Sequence, residues 1–209
     1  MVEVTEGADT VYGLTEAREA RLSPLGGASD ERDERRLLRD ARVGDPVAFV
    51  ALLRCHEPRL RALAFRVLRD PDLVADAMQE TAVRAFRSLR TFRGDAALGT
   101  WLFHITYTVC LDLIKKSDRQ LRLVQRTSSD ATLQAPDPAD LVAAEDQLSR
   151  ALDTLSPEHR AVVFLCIQQG LDLAAAATVL GIPYGTVGSR LAHARQVLRQ
   201  ALSDKEGGV

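Results

Sequence analysis

At three places in this chain an oxygen-bearing residue and a proline stand together at the head of an apolar-striped segment: Asp45-Pro46, Asp70-Pro71 and Ser156-Pro157. An Asp or Ser side chain accepts hydrogen bonds from the unpaired amides of a helix's first turn. Proline loses nothing at the first helical position, where its missing N–H would have no partner anyway. Behind the first pair Phe49, Leu52, Leu53, Leu60, Leu63, Ala64, Val67 and Leu68 recur at helical spacing. No segment alternates with the two-residue period of a half-buried strand. Helix starts of this kind restrict the chain to an all-α fold.

The helical segments fall into two groups. Residues 1–30 mix Gly, Ser, Thr and acids without a period and read as a mobile extension. Residues 31–118 hold a first bundle: the segment after Asp45-Pro46, in which Pro58 is expected to bend or restart the helix, then "DPDLVADAMQETAVRAFRSL", then a Gly-containing loop and the long helix of "TFRGDAALGTWLFHITYTVCLDLIKKSDRQ". Residues 119–138, with "RTSSDATLQAPDP", form a polar linker. Residues 139–205 hold a second bundle, in which Gly170 ends "EHRAVVFLCIQQ" and Asp172 caps "LAAAATVL". Such a linker is expected to leave the two bundles free to adopt many relative orientations.

Charge sharpens the division. The formal net charge of −2 hides a basic first bundle: residues 45–126 carry 14 Arg and Lys against nine acids, net +5. Residues 127–149 carry five acids and no Lys or Arg. A local basic surface of this kind is what nucleic-acid binding requires. Cys55, Cys110 and Cys166 are isolated in apolar helical contexts and read as small core residues in a reducing compartment. No stretch reaches the roughly 18 apolar residues of a membrane span, and the acidic N-terminus is unlike a signal peptide, so a cytoplasmic protein without membrane insertion is expected. There is no Ser/His/Asp order, no spaced metal-ligand set and no phosphate loop. The residues therefore point away from an enzyme, with no catalytic group, metal or cofactor expected.

Three stretches carry the functional reading. The first is "GIPYGTVGSRLAHARQVLRQAL". Gly181 supplies a left-handed turn, Pro183 starts a helix, and Val187, Leu191, Ala194 and Leu198 share one face. Tyr184, Thr186, Ser189, Arg190 and His193 then project elsewhere. A helix, a Gly turn and a second amphipathic helix make a helix-turn-helix, and Arg190 suits a guanine edge or a phosphate. In the second, Asp76, Gln79 and Glu80 lie at i, i+3 and i+4 and form one polar patch suited to a basic partner helix, or an ordinary solvated face, while Val74, Ala77, Met78 and Val83 face inward. In the third, Arg90, Phe92, Arg93, Trp101, Phe103, His104 and Tyr107 interleave cations with aromatics around a loop. Single-stranded nucleic acid needs such an arrangement; core packing of Trp101 and Phe103 is the alternative.

In this order and spacing, "DPDLVADAMQETAVRAFRSL", "FRGDAALGTWLFHITYTVCLDLIKK" and "LSPEHRAVVFLCIQQGLDLAAAATVLGIPYGTVGSRLAHAR" resemble the extracytoplasmic-function sigma factors, a group of the sigma-70 superfamily. The resemblance runs from about Leu37 to Leu202. It implies two helical domains, sigma domain 2 over 31–118 and sigma domain 4 over 139–205, that work as a subunit of RNA polymerase. Asp76, Gln79 and Glu80 would bind core polymerase. Phe92, Arg93, Gly94, Asp95, Ala96, Ala97, Trp101, His104, Thr108, Asp112 and Lys115 would recognise and open the −10 element of promoter DNA. Thr186, Gly188, Ser189, Arg190, His193 and Arg195 would read the −35 element. The acidic linker would thread the polymerase's nucleic-acid channel. An anti-sigma factor is the implied inhibitor, with packing of the two domains on each other, or cover by the acidic extension, as the alternative. This chain departs from the family pattern in several places. His104 stands where Arg is frequent, Tyr107-Thr108 replaces a common Arg-Asn, and Gly188 and Ala192 thin the last helix. A stand-alone helix-turn-helix regulator and an interaction adaptor without DNA binding are the competing functions.

Overall fold

The three capped starts are formed as their chemistry requires. In the computed structural model, which describes residues 28–127 and 150–203, the Asp45 carboxylate accepts from the amides of Val47 at 2.8 Å and Ala48 at 3.3 Å. Asp70 accepts from Asp72 at 2.9 Å and Leu73 at 3.2 Å. Ser156 Oγ accepts from the His159 amide at 3.4 Å. Each replaces a hydrogen bond that the first turn of a helix cannot make internally.

Helices α1 (Ala28–Arg42), α2 (Pro46–Leu68), α3 (Pro71–Ser88) and α4 (Leu98–Thr127) build the first bundle, with a 3₁₀ turn at Leu89–Thr91 leading into the loop before α4. Its core is drawn from the expected stripes: Phe49, Leu52, Leu60, Leu63, Ala64 and Val67 of α2, Val74, Ala77 and Met78 of α3, and Leu102, Phe103 and Val109 of α4. Val83, expected inside, is 38% exposed. Pro58 does not restart α2, which continues through it. The proline is exposed, as is Arg54, whose carbonyl loses its i+4 partner there, so water can satisfy that carbonyl. Nor does α4 stop near residue 118. From 100 to 135 no Gly or Pro occurs, and the helix formers of "KKSDRQLRLVQR" carry it to Thr127. The remainder of the expected linker, and the expected helix over 139–149, lie outside the described residues.

The second bundle contains helical residues 150–153, α5 (Pro157–Val163) running into a π-helical turn at Phe164–Gln168, α6 (Leu173–Leu180) and α7 (Tyr184–Ser203). Gly170 (φ 68°) and Gly181 (φ 64°) occupy left-handed conformations, which close the π turn and join α6 to α7. The two bundles are in contact. One continuous cluster of buried side chains runs from Leu102, Phe103 and Tyr107 of α4 to Phe164, Leu165, Ala176 and Val179 of the second bundle.

Candidate functional site

The polar patch forms as a helical face. Asp76, Gln79 and Glu80 are all exposed on α3, because Val74, Ala77 and Met78 turn the opposite stripe into the core. They border an open groove of about 390 Å³ that α4 completes with Val109, Asp112, Leu113 and Lys116. Arg84 lies across this groove. Its Nε donates to Glu80 Oε1 at 2.7 Å and its Nη1 to Asp112 Oδ2 at 2.8 Å. These two bonds hold the guanidinium pKa above its usual value. Asp112, assigned from the family pattern to the −10 surface, is thus brought beside the α3 patch. Arg84 was not singled out from the sequence, although its i+4 spacing from Glu80 is the usual signal of a helical ion pair.

The loop before α4 is built on an aromatic pair. Phe92 is in the core and its ring centroid lies 5.0 Å from that of Trp101, tilted by 45°. Trp101 is half-buried, so it supports the loop. Between them Arg93, Gly94, Asp95 and Ala97 are exposed and Ala96 is partly so. Gly94 has φ 83°, with nothing within 4 Å of where a Cβ would stand. The backbone angle, and not space, favours glycine there. Along α4, His104, Thr108, Asp112 and Lys115 form one stripe. Thr108 Oγ1 donates to the His104 carbonyl at 2.8 Å, and His104 Nδ1 lies 2.8 Å from the Val179 carbonyl oxygen of the second bundle. Asp112 and Lys115 are exposed.

The helix-turn-helix has the expected parts. Asp172 caps α6 by accepting from the Ala175 amide at 2.7 Å, and the Ile182 amide donates to the Ala177 carbonyl across the Gly181 turn at 3.2 Å. Val187, Leu191 and Ala194 of α7 are buried, and Leu198 packs against the cluster of Ala194 with Leu152, Leu155 and Val163. That leaves Ser189, His193 and Arg195 exposed and Thr186, Gly188 and Arg190 partly covered. His193 faces His159 of α5, with ring centroids 4.9 Å apart. Burial lowers the His159 pKa, and the neighbouring His193 and Arg190 add to this. Burial raises the Tyr107 pKa, with a smaller contribution from Glu158, while the positive charge of Arg190 opposes the shift.

Several structurally engaged residues had no sequence signal. Arg160 donates to the Arg66 and Val67 carbonyls at 2.7 and 3.1 Å, and to the Leu155 carbonyl at 2.7 Å. Asp153 pairs with Arg69. Apart from Leu155, these partners are separated by more than 80 residues of chain, beyond the reach of any periodicity argument. Among the described residues no group of three or more His, Cys, Asp or Glu is placed to hold a metal ion, and no helix is long and apolar enough to cross a membrane.

Comparison with known proteins matches these surfaces to a family. The Sigma-70 region 2 model covers residues 52–120, which contain α3, the loop and most of α4, and the Sigma-70 region 4 model covers residues 145–198, which contain the helix-turn-helix. The ECF RNA polymerase sigma factor SigM of Mycobacterium tuberculosis is 34% identical over 187 residues, 88% of this chain and 91% of its own length. SigL of the same organism is 36% identical over 173 residues, 78% of this chain and 97% of its own. Among solved structures, the sigma factor RpoE of Bartonella quintana, in complex with the anti-sigma factor NepR, aligns with a TM-score of 0.62 at 25% identity, over 75% of this chain and 98% of that one. CnrH, in complex with the cytosolic domain of CnrY, aligns at 0.59 and 25% identity, over 83% and 99%. With both regions matched in order and the likeness extending over nearly nine-tenths of the chain, this protein belongs to the extracytoplasmic-function sigma factors of bacterial RNA polymerase.

Proposed function

We propose that this sigma factor docks on core RNA polymerase through Asp76, Gln79 and Glu80, opens the −10 element with the Phe92–Trp101 loop and the upper face of α4, and reads the −35 element with α7. The observation that carries the reading is the exposed acidic face of α3 beside an open groove, in the same chain as a helix-turn-helix whose Val187, Leu191 and Ala194 are buried in packing. Basic helices of a large partner fit the first surface; duplex DNA fits the second.

Within this reading Arg190 pairs with a base edge and Arg195, on the outer side of α7, with phosphate. Exposed Arg90 and Arg93 supply phosphate charge beside the loop. An inhibitor of the anti-sigma kind is the expected protein partner, as the RpoE of Bartonella quintana has in NepR. A cytoplasmic site of action follows from partnership with polymerase. The test is co-purification with core polymerase followed by run-off transcription from a defined promoter. Binding and promoter-dependent transcripts support the proposal. A chain that binds operator DNA alone and ignores core polymerase overturns it.

A further inference from the structure

Helices α2, α3, α5 and α6 begin on Asp45, Asp70, Ser156 and Asp172, each of which accepts from first-turn amides. Helix α4 begins on alanine. The Trp101 amide donates to the Ala97 carbonyl at 3.1 Å, which makes Ala97 the N-cap, and its methyl group has no acceptor for the amides of Leu98, Gly99 and Thr100. Across that turn stands His56 of α2. The Cε1–Nδ1 edge of its ring lies 3.7 Å from where a Cβ on Gly99 would stand. His56, Ala97, Gly99 and Thr100 line one small cavity, with Leu60 and Phe103 as apolar wall. Its volume of about 10 Å³ is roughly that needed by a single water. His56 is only 3% exposed, so bulk solvent hardly competes there. On the far side of the ring, Nε2 lies 4.0 Å from Glu34 Oε1 of α1. A carboxylate in that position favours the tautomer with its proton on Nε2, which leaves Nδ1 as an acceptor toward α4.

We propose that His56 is a positioning residue for the loop before α4: one water in this cavity accepts from the first-turn amides of α4 and donates to His56 Nδ1, supplying the cap that Ala97 lacks. A water oxygen accepts from two amides while one of its hydrogens reaches the imidazole. The cap is thereby anchored on α2, beside the buried Leu60 and Leu63. The start of α4, and with it the end of the exposed loop at Gly94–Ala97, is fixed against the packed part of the bundle and not by the loop's own side chains. Glu34 acts one step further out, by holding the ring in the accepting tautomer. That the loop reads the −10 element rests on the function proposed above; the cap does not.

His56→Leu keeps a buried side chain of similar bulk and removes the acceptor. Loss of a helix cap shifts a local equilibrium roughly two- to thirtyfold. Amide hydrogen exchange in the full chain should accelerate by about that factor at Gly99, Thr100 and Trp101, and stay the same at Val187 and Leu191 of α7. His56→Gln, which retains an acceptor, should recover most of the protection. Ala97→Asp gives α4 a side-chain cap of its own. It should restore protection in the His56→Leu background, yet change it by less than about twofold in the wild-type background, where the amides already have a partner. In transcription by the assembled holoenzyme, His56→Leu should lower the preference for a strong over a substituted −10 element at least about twofold and leave −35 preference unchanged. Equal exchange in wild type and His56→Leu overturns the cap. If His56→Leu fails to fold, Ala97→Asp alone decides: a gain in protection above about fivefold shows that the first turn had no cap and overturns the proposal. Faster exchange with an unaltered −10 preference overturns the positioning role. A wild-type chain that yields no promoter-dependent transcript with core polymerase would instead count against the proposed function and leave the exchange result standing.

Discussion

Acid should weaken the first bundle through one histidine. His56 of α2 is 3% exposed, and its Nε2 has no hydrogen-bond partner. The ring borders a cavity of about 10 Å³ lined also by Arg59, Leu60, Gly99 and Phe103. Burial, with a smaller contribution from Arg59, lowers its pKa from 6.5 to about 4. A folded-state pKa below the unfolded value means that the unfolded chain takes up the proton first. The stability due to neutral His56 is therefore complete above about pH 6.5 and is lost as the pH falls toward 4. Linkage gives a cost of about 1 kcal/mol at pH 5.5, about 2–3 kcal/mol at pH 4.5 and about 3 kcal/mol in all. Glu34 Oε1 lies 4.0 Å from Nε2 and would attract the imidazolium, so these values are upper bounds. The assay is urea unfolding followed by circular dichroism at several pH values, for wild type and His56→Gln. The variant is less stable at neutral pH, but the gap between the two should narrow by about 1 kcal/mol at pH 5.5 and further below it. A gap that is constant with pH, with carboxylate titration common to both proteins, would refute the assignment.

Asp76→Arg reverses charge at the centre of the exposed α3 face and should lower affinity for core polymerase about ten- to a hundredfold, measured by co-purification, with the helical spectrum unchanged. Exchanging residues 94–98 for another member's loop should alter −10 preference in a base-by-base promoter scan and leave −35 preference as it was. Gly181→Ala forces a Cβ into φ 64° and should lower stability by about 1–2 kcal/mol. The cost should appear in thermal unfolding, since only His104 Cε1, at 3.9 Å, stands near the added methyl. Arg190→Ala should reduce transcription selectively at promoters with a strong −35 element, whereas Arg195→Ala should weaken all promoters alike.

Local features were legible because their causes are local. Asp45, Asp70, Ser156 and Asp172 act on amides two or three residues away, and the stripes of α2, α3 and α7 are set by helical geometry alone. The restart at Pro58 and the end of α4 near residue 118 were misread for the same reason. A proline on a solvated helical face costs less than one in the core, and no breaker marks the boundary near residue 118. Val83 belongs by spacing to the inner stripe of α3, yet it lies where no neighbouring helix covers it, which only the packing could reveal. The contact between bundles had no local signature. Arg160 looked like any surface residue of a capped helix, and its partners are carbonyls, which every residue possesses. Tyr107 was singled out within the aromatic and cation stretch and as a departure from the family pattern, but that it is buried only the packing could reveal.

The thinned last helix and the two-bundle design bear on each other. A specific protein–DNA complex exceeds its own non-specific binding by roughly 4–10 kcal/mol, and a good bidentate base contact supplies about 1–3 kcal/mol. On α7, Gly188 and Ala192 offer no reach, and Ser189 offers little. Under the proposed function Arg190 would therefore be the main source of discrimination there, and it falls short of the requirement alone. Under the same proposal the loop at Gly94–Ala97 would add a second weak reader, one that needs an unstacked base and so acts only once the duplex begins to open. Neither surface suffices separately. Held at a fixed spacing on polymerase, the second contact becomes intramolecular, and its effective concentration replaces affinity that neither helix nor loop possesses. Weak readers suit a subunit whose partner supplies the spacing; in a protein that had to find promoters unaided, the same residues would be inadequate.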